Sequence, residues 1–554
     1  MQLVSEGQQN IILNGNPTKT FFKTTYSKYT NFGMQKFRVD FEGAKTLRLT
    51  EDSTFTFKIP RYADLLMDCY LSVELPNIWS PIVPPRDDPN APDFNDGKWV
   101  PYEFRWIDNI GTQMISKISI TCGNQTIQEF SGAYIQSMVQ RDFNGTKRNL
   151  FNKMTGNVPE VMDPSNSGSR VNAYPNAFYT QNPAGAQPSI NGRVLYIPLN
   201  AWFNLKTQMA FPLVSLQYNE LHINVTMRPI QELFQIRDVY DSVNNFPYIA
   251  PNFNQYYMQF HRFLQTPPDI NLGTASYVDT RSIWNADIHL NCTYGFLSND
   301  ESRVFALNEQ KYLFKQVRES IFYNVTGPKK IDLDSLGMVS SYMFYFQRSD
   351  ANLRNEWSNY TNWPYRYIPN DIYPALTSGE YIVDRDGDPA LIGPGVNTDG
   401  KLTGWMITGT YSFENTKNIL LDMGILLDGI YRENVQPVGV YDYIEKYTRT
   451  AGDAPEGLYV YNYCLNTSPF DLQPSGAMNM NRFTNIELET TTITPPLDPY
   501  AQSMNICDPT TGEIIGVNKP TWRIYDYNFN MVLFEERINV VNFIGGNCGL
   551  LYAT

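Results

Sequence analysis

Alternation of apolar and polar residues with a period of two recurs along this chain and commits it to half-buried β-strands. In 68–76 (DCYLSVELP), Cys69, Leu71, Val73 and Leu75 share one side, and Tyr70, Ser72 and Glu74 the other. Residues 117–122 (KISITC), 220–228 (ELHINVTMR) and 287–294 (DIHLNCTY) alternate in the same way. Successive side chains of a strand point to opposite faces, so such segments suit antiparallel sheets with one covered face. Further strands are expected at 36–42, 54–59, 194–198, 331–334, 339–347, 405–412, 458–464, 485–492 and 537–544. Helical spacing is confined to 131–154 and to a short stretch at 308–317.

Long connections separate these strands. Residues 77–101 are rich in Pro, Asp and Asn, 156–192 in Gly, Pro, Asn and Ser, and 349–417 include DRDGDPALIGPGVNTDGK. Structureless loops beyond ~15 residues usually serve binding or assembly. A length of 554 residues with 42% hydrophobic content supports two large β units. RPIQELFQIRD ends one set of strands, and a new alternating strand starts at Asp287. The expected division is an arm at 1–30, a first unit at 31–232, a linker at 233–280 and a second unit at 281–554.

Charged residues make up 18% and aromatics 14%, against a usual charged share of about 25%. Such a surface is built from Asn, Thr, Ser, Gln and Tyr, which suits subunit contact. The net charge of −13 opposes direct wrapping of nucleic acid, because phosphate binding needs a basic surface. The six cysteines are at least 41 positions apart, so neither C-x-x-C nor a zinc spacing occurs. Cys69, Cys122 and Cys292 fall on apolar strand faces and read as small buried hydrophobes in a reducing compartment. The N-terminal MQLVSEGQQN is polar, unlike a secretory signal, and no apolar run approaches the ~20 residues of a membrane span.

Catalytic signatures are missing from the letters. The three histidines are His222, His261 and His289, and two of them lie on polar strand faces. GVNTDGKL (395–402) has phosphate-loop spacing, but Leu402 stands where a magnesium-binding hydroxyl belongs. DRDGDP (384–389) starts like a calcium loop, but Pro389 replaces its turn glycine. No catalytic residue, metal ligand or cofactor is assigned. Seven N-x-S/T sequons occur, no more than composition gives by chance, with Asn144 and Asn359 as the glycan-acceptor candidates.

The stretch SDANLRNEWSNYTNWPYRY (349–367) packs five aromatics, four asparagines and two arginines into nineteen residues. It is too aromatic for a solvated loop and too polar for a core strand. Trp357, Tyr360, Trp363, Tyr365 and Tyr367 suit a sugar-binding surface, a packed loop base or a subunit contact. Arg354 and Arg366 are placed to pin the turns or stack on the rings.

Several segments, in order, resemble the major capsid proteins of nucleocytoplasmic large DNA viruses. GNPTKTFFKTTYSKYTNFGMQKFRVDFEG (15–43) is similar to the family's opening. IPLNAWFNLKTQMAFPLVSLQYNELHINVTMR (197–228) resembles the end of its first jelly roll through Pro198, Trp202, Phe203, Asn204, Pro212, Gln217 and Glu220, with Met209, Phe211 and Asn219 departing from the pattern. ILLDGIYREN (425–434) and LQPSGAMNMNRFTNIELE (472–489) resemble parts of the second jelly roll.

The resemblance implies an all-β fold of two tandem eight-stranded antiparallel jelly-roll barrels, with long loops and a few short helices. It implies a structural role without catalysis: a homotrimeric, pseudo-hexagonal capsomer in an icosahedral shell. Neighbouring capsomers, minor capsid proteins and an internal viral membrane would be its contacts, in a virion capsid assembled in host cytoplasm, without direct nucleic acid binding. Segments 68–76 and 114–122 would be the fourth-lettered and fifth-lettered strands D and E of the first barrel, and 338–348 and 418–428 those of the second. The long loops would then leave one end of the molecule. The alternatives are a carbohydrate-binding or carbohydrate-active β-sandwich, for which two carboxylates ~5–10 Å apart would be needed, or a minor capsid or penton relative.

Overall fold

The computed structural model describes residues 8, 11–43, 45–80, 82–83, 100–101, 103–170, 173–175, 187–238, 247–266, 277, 279–366, 381–383, 389–391, 395–396, 402–403, 416–498, 501, 504–518 and 524–552. The segments with strong alternation form two sandwiches. The first contains β1 (Phe32–Asp40), β2 (Ser53–Lys58), β3 (Leu65–Leu75), β4 (Ile115–Cys122), β5 (Gln125–Phe130), β6 (Arg193–Pro198), β7 (Leu221–Met227) and β8 (His289–Leu297). One sheet runs β1-β8-β3-β6 and the other β2-β7-β4-β5, all antiparallel.

The second sandwich repeats this order. It consists of β9 (Gln310–Phe322), β10 (Pro328–Asp332), β11 (Met338–Arg348), β12 (Leu420–Leu427), β13 (Ile430–Pro437), β14 (Leu458–Asn462), β15 (Ile486–Thr492) and β16 (Phe529–Ile544). Its sheets are β9-β16-β11-β14 and β10-β15-β12-β13. A first strand paired with the eighth, and the remaining strands divided between two facing sheets, is the jelly-roll arrangement. The fold is a double jelly roll.

Register explains the burial pattern. Cys69 lies opposite Cys292, and Leu71 opposite Leu290, so the apolar letters of β3 and β8 meet on the inner face. In β7, Leu221, Ile223, Val225 and Met227 are buried and the residues between them are half-buried. Directions alternate along each sandwich, so the β3–β4, β5–β6 and β7–β8 connections and their second-sandwich counterparts leave from one end. The two sandwiches stand side by side with these ends together. At this end Asn355 reaches the carbonyls of Gln231 and Phe234, and at the other Gln217 N–H donates to Gly546 O.

Four expectations need correction. The strand beginning near Asp287 belongs to the first sandwich, because β8 fills the slot between β1 and β3. A single sequence shows the alternation of β8 but not its partner. The stretch 233–280, expected as a linker, packs on the first unit: Phe234–Arg237 pairs with Phe104–Trp106, and Phe260 and Phe263 lie against Phe104. Residues 308–317, spaced like a helix, mostly enter strand β9. Its buried Phe314 and Val317 are three apart because the neighbouring sandwich covers them, not because of a helical turn. The expected helix at 131–154 is two helices, α1 (Gly132–Asp142) and α2 (Gly145–Met154), broken where Asn144 caps the second. The strand expected at 405–412 lies outside the described residues.

One apolar cluster runs from the first sandwich onto the β9-β16-β11-β14 sheet, through Phe314, Met343, Tyr345, Phe534 and Phe543. A second fills the space between the sheets of the second sandwich.

Candidate functional site

The junction between the sandwiches concentrates the buried polar chemistry. Helix α1 follows β5, starts at Ser131, whose Oγ accepts from Tyr134 N–H (3.3 Å), and is buried along all eleven residues. Gly132 is required at its start, since a Cβ there would come within 1.8 Å of Thr112 O. From α1, Tyr134 Oη donates to Glu536 of β16 (2.9 Å) and Arg141 Nη2 donates to the same carboxylate (2.7 Å). Arg141 also donates to Asp142, and Thr467 Oγ1 donates to Asp142 Oδ1 (2.6 Å). Ser341 Oγ (2.8 Å) and Lys315 Nζ (3.4 Å) complete the shell around Glu536. Burial alone would raise the Glu536 carboxyl, but Arg141 and Lys315 outweigh it and hold it at about 2. For Asp142 burial dominates and pushes its carboxyl up despite Arg141. This group joins five segments that are remote in sequence: α1, β9, β11, the stretch at Thr467 and β16.

The aromatic stretch after β11 lies across the same junction. Asn355, held at φ 54°, donates through Nδ2 to Gln231 O and Phe234 O (both 2.8 Å). Trp357 Nε1 donates to Glu232 O (3.0 Å), and Arg228 stands over its ring at 4.5 Å. Ser358 Oγ accepts from Asn109 (2.9 Å) and Gln113 (3.2 Å) of the first sandwich. Tyr360 stacks on Tyr345 at 4.2 Å, Lys417 lies 5.7 Å from the Trp363 ring, and Tyr365 Oη donates to Tyr248 O. Arg354 donates to Pro364 O (3.0 Å) and Arg366 pairs with Asp108 (3.3 Å). Tyr367 lies outside the described residues. The structure thus brings Trp357, Tyr360 and Tyr365 onto intramolecular partners.

The two glycan-acceptor candidates differ. Asn144 is exposed and its Oδ1 caps α2 by accepting from Lys147 N–H (2.9 Å). Asn359 is buried, with Nδ2 donating to Trp363 O (2.8 Å) and Oδ1 accepting from Thr361 N–H and Oγ1. That amide is committed to its own turn and does not offer itself to a transferase. His289 is 9% exposed, with Nδ1 2.6 Å from Asp287 O. Residues 384–388 and 397–401 of the two loop near-misses lie outside the described residues.

Arg141, Asp142, Lys315 and Glu536 escaped the reading of the sequence. The available signal was two consecutive glutamates, Glu535 and Glu536, inside the apolar run MVLFEERINV. A charge in a strand that otherwise reads as core calls for a buried partner.

The likeness to known proteins agrees with this architecture. Residues 20–291 match the family model "Major capsid protein N-terminus", and 301–546 match "Large eukaryotic DNA virus major capsid protein". The first match ends within β8, consistent with that strand closing the first unit. The chain is 24% identical to the major capsid protein of Phaeocystis pouchetii virus, covering 100% of this chain and 99% of that one. It is 23% identical to the major capsid protein of Paramecium bursaria Chlorella virus 1, covering 100% and 98%. Among solved structures, a chain of the "PBCV-1 virus capsid, quasi-atomic model" superposes with a TM-score of 0.58 at 17% identity, covering 97% of this chain and 100% of that one, which is a likeness of fold. With both halves matched in order and a double jelly roll throughout, the chain belongs to the major capsid proteins of the nucleocytoplasmic large DNA viruses.

Proposed function

We propose that this protein builds the virion shell as a homotrimer, three double jelly rolls giving a six-lobed, pseudo-hexagonal capsomer. The observation that carries this reading is the junction: two sandwiches with the same strand order, fixed side by side by a shared core and a buried ion cluster. Such a unit already contains one sandwich-to-sandwich contact, and a closed ring needs only its repetition between copies. The role is structural, and catalysis is no part of it. Trp357, Tyr360, Trp363 and Tyr365 serve as the packed base of the long β11–β12 connection rather than as a ligand platform.

The end bearing the long connections faces outward in this proposal, and neighbouring capsomers meet along the sides. The opposite end and the arm, where Phe21, Phe22, Tyr26 and Tyr29 are exposed, face minor capsid proteins and an internal membrane. Assembly takes place in host cytoplasm. Light scattering at micromolar concentration tests the core of the reading. Three chains of 63.6 kDa give about 191 kDa, and low-resolution images should show a three-fold, six-lobed particle. A monomer under these conditions would overturn it.

A further inference from the structure

Beside the ion cluster the two sandwiches leave a cavity of about 70 Å³ between them. Both units supply its walls: Tyr134 and Met138 of α1, with Asn200 and Trp202, from the first, and Phe314 of β9 and Ile538 of β16 from the second. The segment 468–476, which follows β14, adds a third wall. Met138, Trp202 and Phe314 are buried, whereas Leu205 and Met209 are half-buried and Leu313 and Leu472 are exposed, so the cavity has an apolar mouth and a closed floor. A single water needs about 10–15 Å³ of such space, so there is room for a molecule several times larger.

Two donors in this wall are unused. Trp202 is firmly held: its backbone N–H donates to Gln128 Oε1 (3.2 Å), Gln128 Nε2 donates to Lys315 O (3.3 Å), and its ring lies 5.4 Å from Tyr312 and 5.7 Å from Phe314. Yet Trp202 Nε1 is out of solvent and meets no acceptor among the described residues, and the same holds for Asn200 Nδ2. Buried indole and amide N–H groups ordinarily find an acceptor, because desolvating them without one is costly. The other polar groups of the wall are committed. Tyr134 Oη donates to Glu536 (2.9 Å), Ser340 Oγ to Glu536 O (3.1 Å), and Lys315 Nζ to Thr467 O (2.8 Å) and Glu536 (3.4 Å). Asp471, at the exposed rim, accepts from Asn466 Nδ2 (2.9 Å). What the cavity offers a guest is therefore carbon and two N–H donors.

We propose that this cavity binds a neutral aliphatic molecule with one carbonyl or hydroxyl oxygen, which takes the unused N–H groups of Trp202 and Asn200. An sp² oxygen has two lone pairs and serves both donors at once. A carboxylate fits less well: Lys315 is the cation lining the cavity among the described residues, and Glu536 already balances it. Water is the weaker occupant, since a buried water makes about three hydrogen bonds and the rest of the floor is carbon. A guest touches both sandwiches, so it binds the closed junction and stabilises it by mass action. The inference does not depend on how many copies assemble.

Three probes of one shape test it on the full chain: cyclohexanone, cyclohexane and cyclohexanecarboxylate. Headspace partition should show one cyclohexanone bound per chain, about tenfold more tightly than cyclohexane, and equilibrium dialysis should show no binding of the carboxylate. Cyclohexanone should move the indole N–H resonance of Trp202, identified as the one lost in Trp202→Phe, downfield. Asn200→Gly, which the φ of 50° tolerates, should shrink the advantage of cyclohexanone over cyclohexane and leave cyclohexane binding as it was. Leu205→Trp and Leu472→Trp crowd the mouth from two walls, and each, once its circular dichroism matches the wild type, should weaken both neutral probes. Failure of cyclohexanone to bind, equal affinity for cyclohexanone and cyclohexane, an unmoved Trp202 resonance, or binding that survives both crowded variants would overturn the site. Preference for the carboxylate would overturn the class of ligand.

Discussion

Arg141 and Glu536 are 395 positions apart in the chain and 2.7 Å apart in the fold, and neither side chain reaches solvent. A buried ion pair is poor at adding net stability but expensive to break, because removing one partner strands a charge in a medium that cannot solvate it. Arg141→Met leaves both Asp142 and Glu536 short of their main counter-charge and should cost about 3–5 kcal/mol. Glu536→Met leaves Arg141 still paired with Asp142 and should cost less. The double variant should lose less than the two singles added together. Urea unfolding midpoints of the four proteins, taken under conditions that keep the oligomeric state the same, check all three orders.

The same carboxyl sets an acid limit. Glu536 is held at about 2, below the ordinary glutamate range near 4.3, so its ionised form is favoured by folding. That contribution is complete above about pH 4 and is lost as pH falls through the interval down to about 2. Asp142 works in the opposite sense: its carboxyl is raised by burial, so protonating it on acidification relieves a cost. The wild type should therefore outmelt Glu536→Gln clearly at pH 6, with the gap narrowing between about pH 4 and pH 2. Scanning calorimetry across that range reads the gap. A constant difference would mean that Glu536 does not remain charged in the fold.

How far the letters foretold this architecture depends on where each residue's partner lies. Strands β4 and β7 were legible because one covered face and one open or polar face produce a period of two. Strand β9 was not, because half of its cover comes from Trp202 and other residues of the first sandwich, and its buried positions lose their alternation. Assignment of β8 failed for a related reason: periodicity identifies a strand, while its sheet is decided by pairing with β1 and β3. The aromatic stretch was visible by composition, but its targets, such as Glu232 O and Phe234 O, are backbone atoms that no side-chain pattern advertises.

Asn355 should behave as a latch between the sandwiches. Its amide satisfies two buried carbonyls of the first unit, and its positive φ suits Asn better than most residues. Asn355→Ala loses the two bonds and adds backbone strain, for an expected loss of about 2–4 kcal/mol. Asn355→Gly keeps the backbone comfortable and should recover about 1 kcal/mol of that. Trp357→Ala, which removes the bond to Glu232 O and the ring under Arg228, should weaken the same contact. Limited proteolysis should show faster cleavage near 349–366 in these variants, with the individual sandwiches still resistant. Equal cleavage rates in wild type and Asn355→Ala would remove the latch.

Thiol reactivity reports whether the sandwiches stay closed. Cys507 is exposed, on the strand Met504–Cys507 that pairs with Ile514–Asn518, and the other five cysteines are buried. Cys69 and Cys292 face each other inside the first sandwich, and burial pushes the Cys69 thiol up, as it does that of Cys464. The thiolate is the reactive form, so exclusion from solvent and a raised pKa both slow attack. A chromogenic disulfide reagent should find one fast thiol per chain at neutral pH and six after denaturation, and Cys507→Ser should abolish the fast phase. Cys548 lies just beyond β16, where it meets Cys122 of β4 across the junction. Arg141→Met should therefore accelerate labelling of Cys122 and Cys548 before that of Cys69 and Cys292, because the junction opens while the first sandwich keeps its own core. Simultaneous exposure of all four would show that the two sandwiches unfold as one unit.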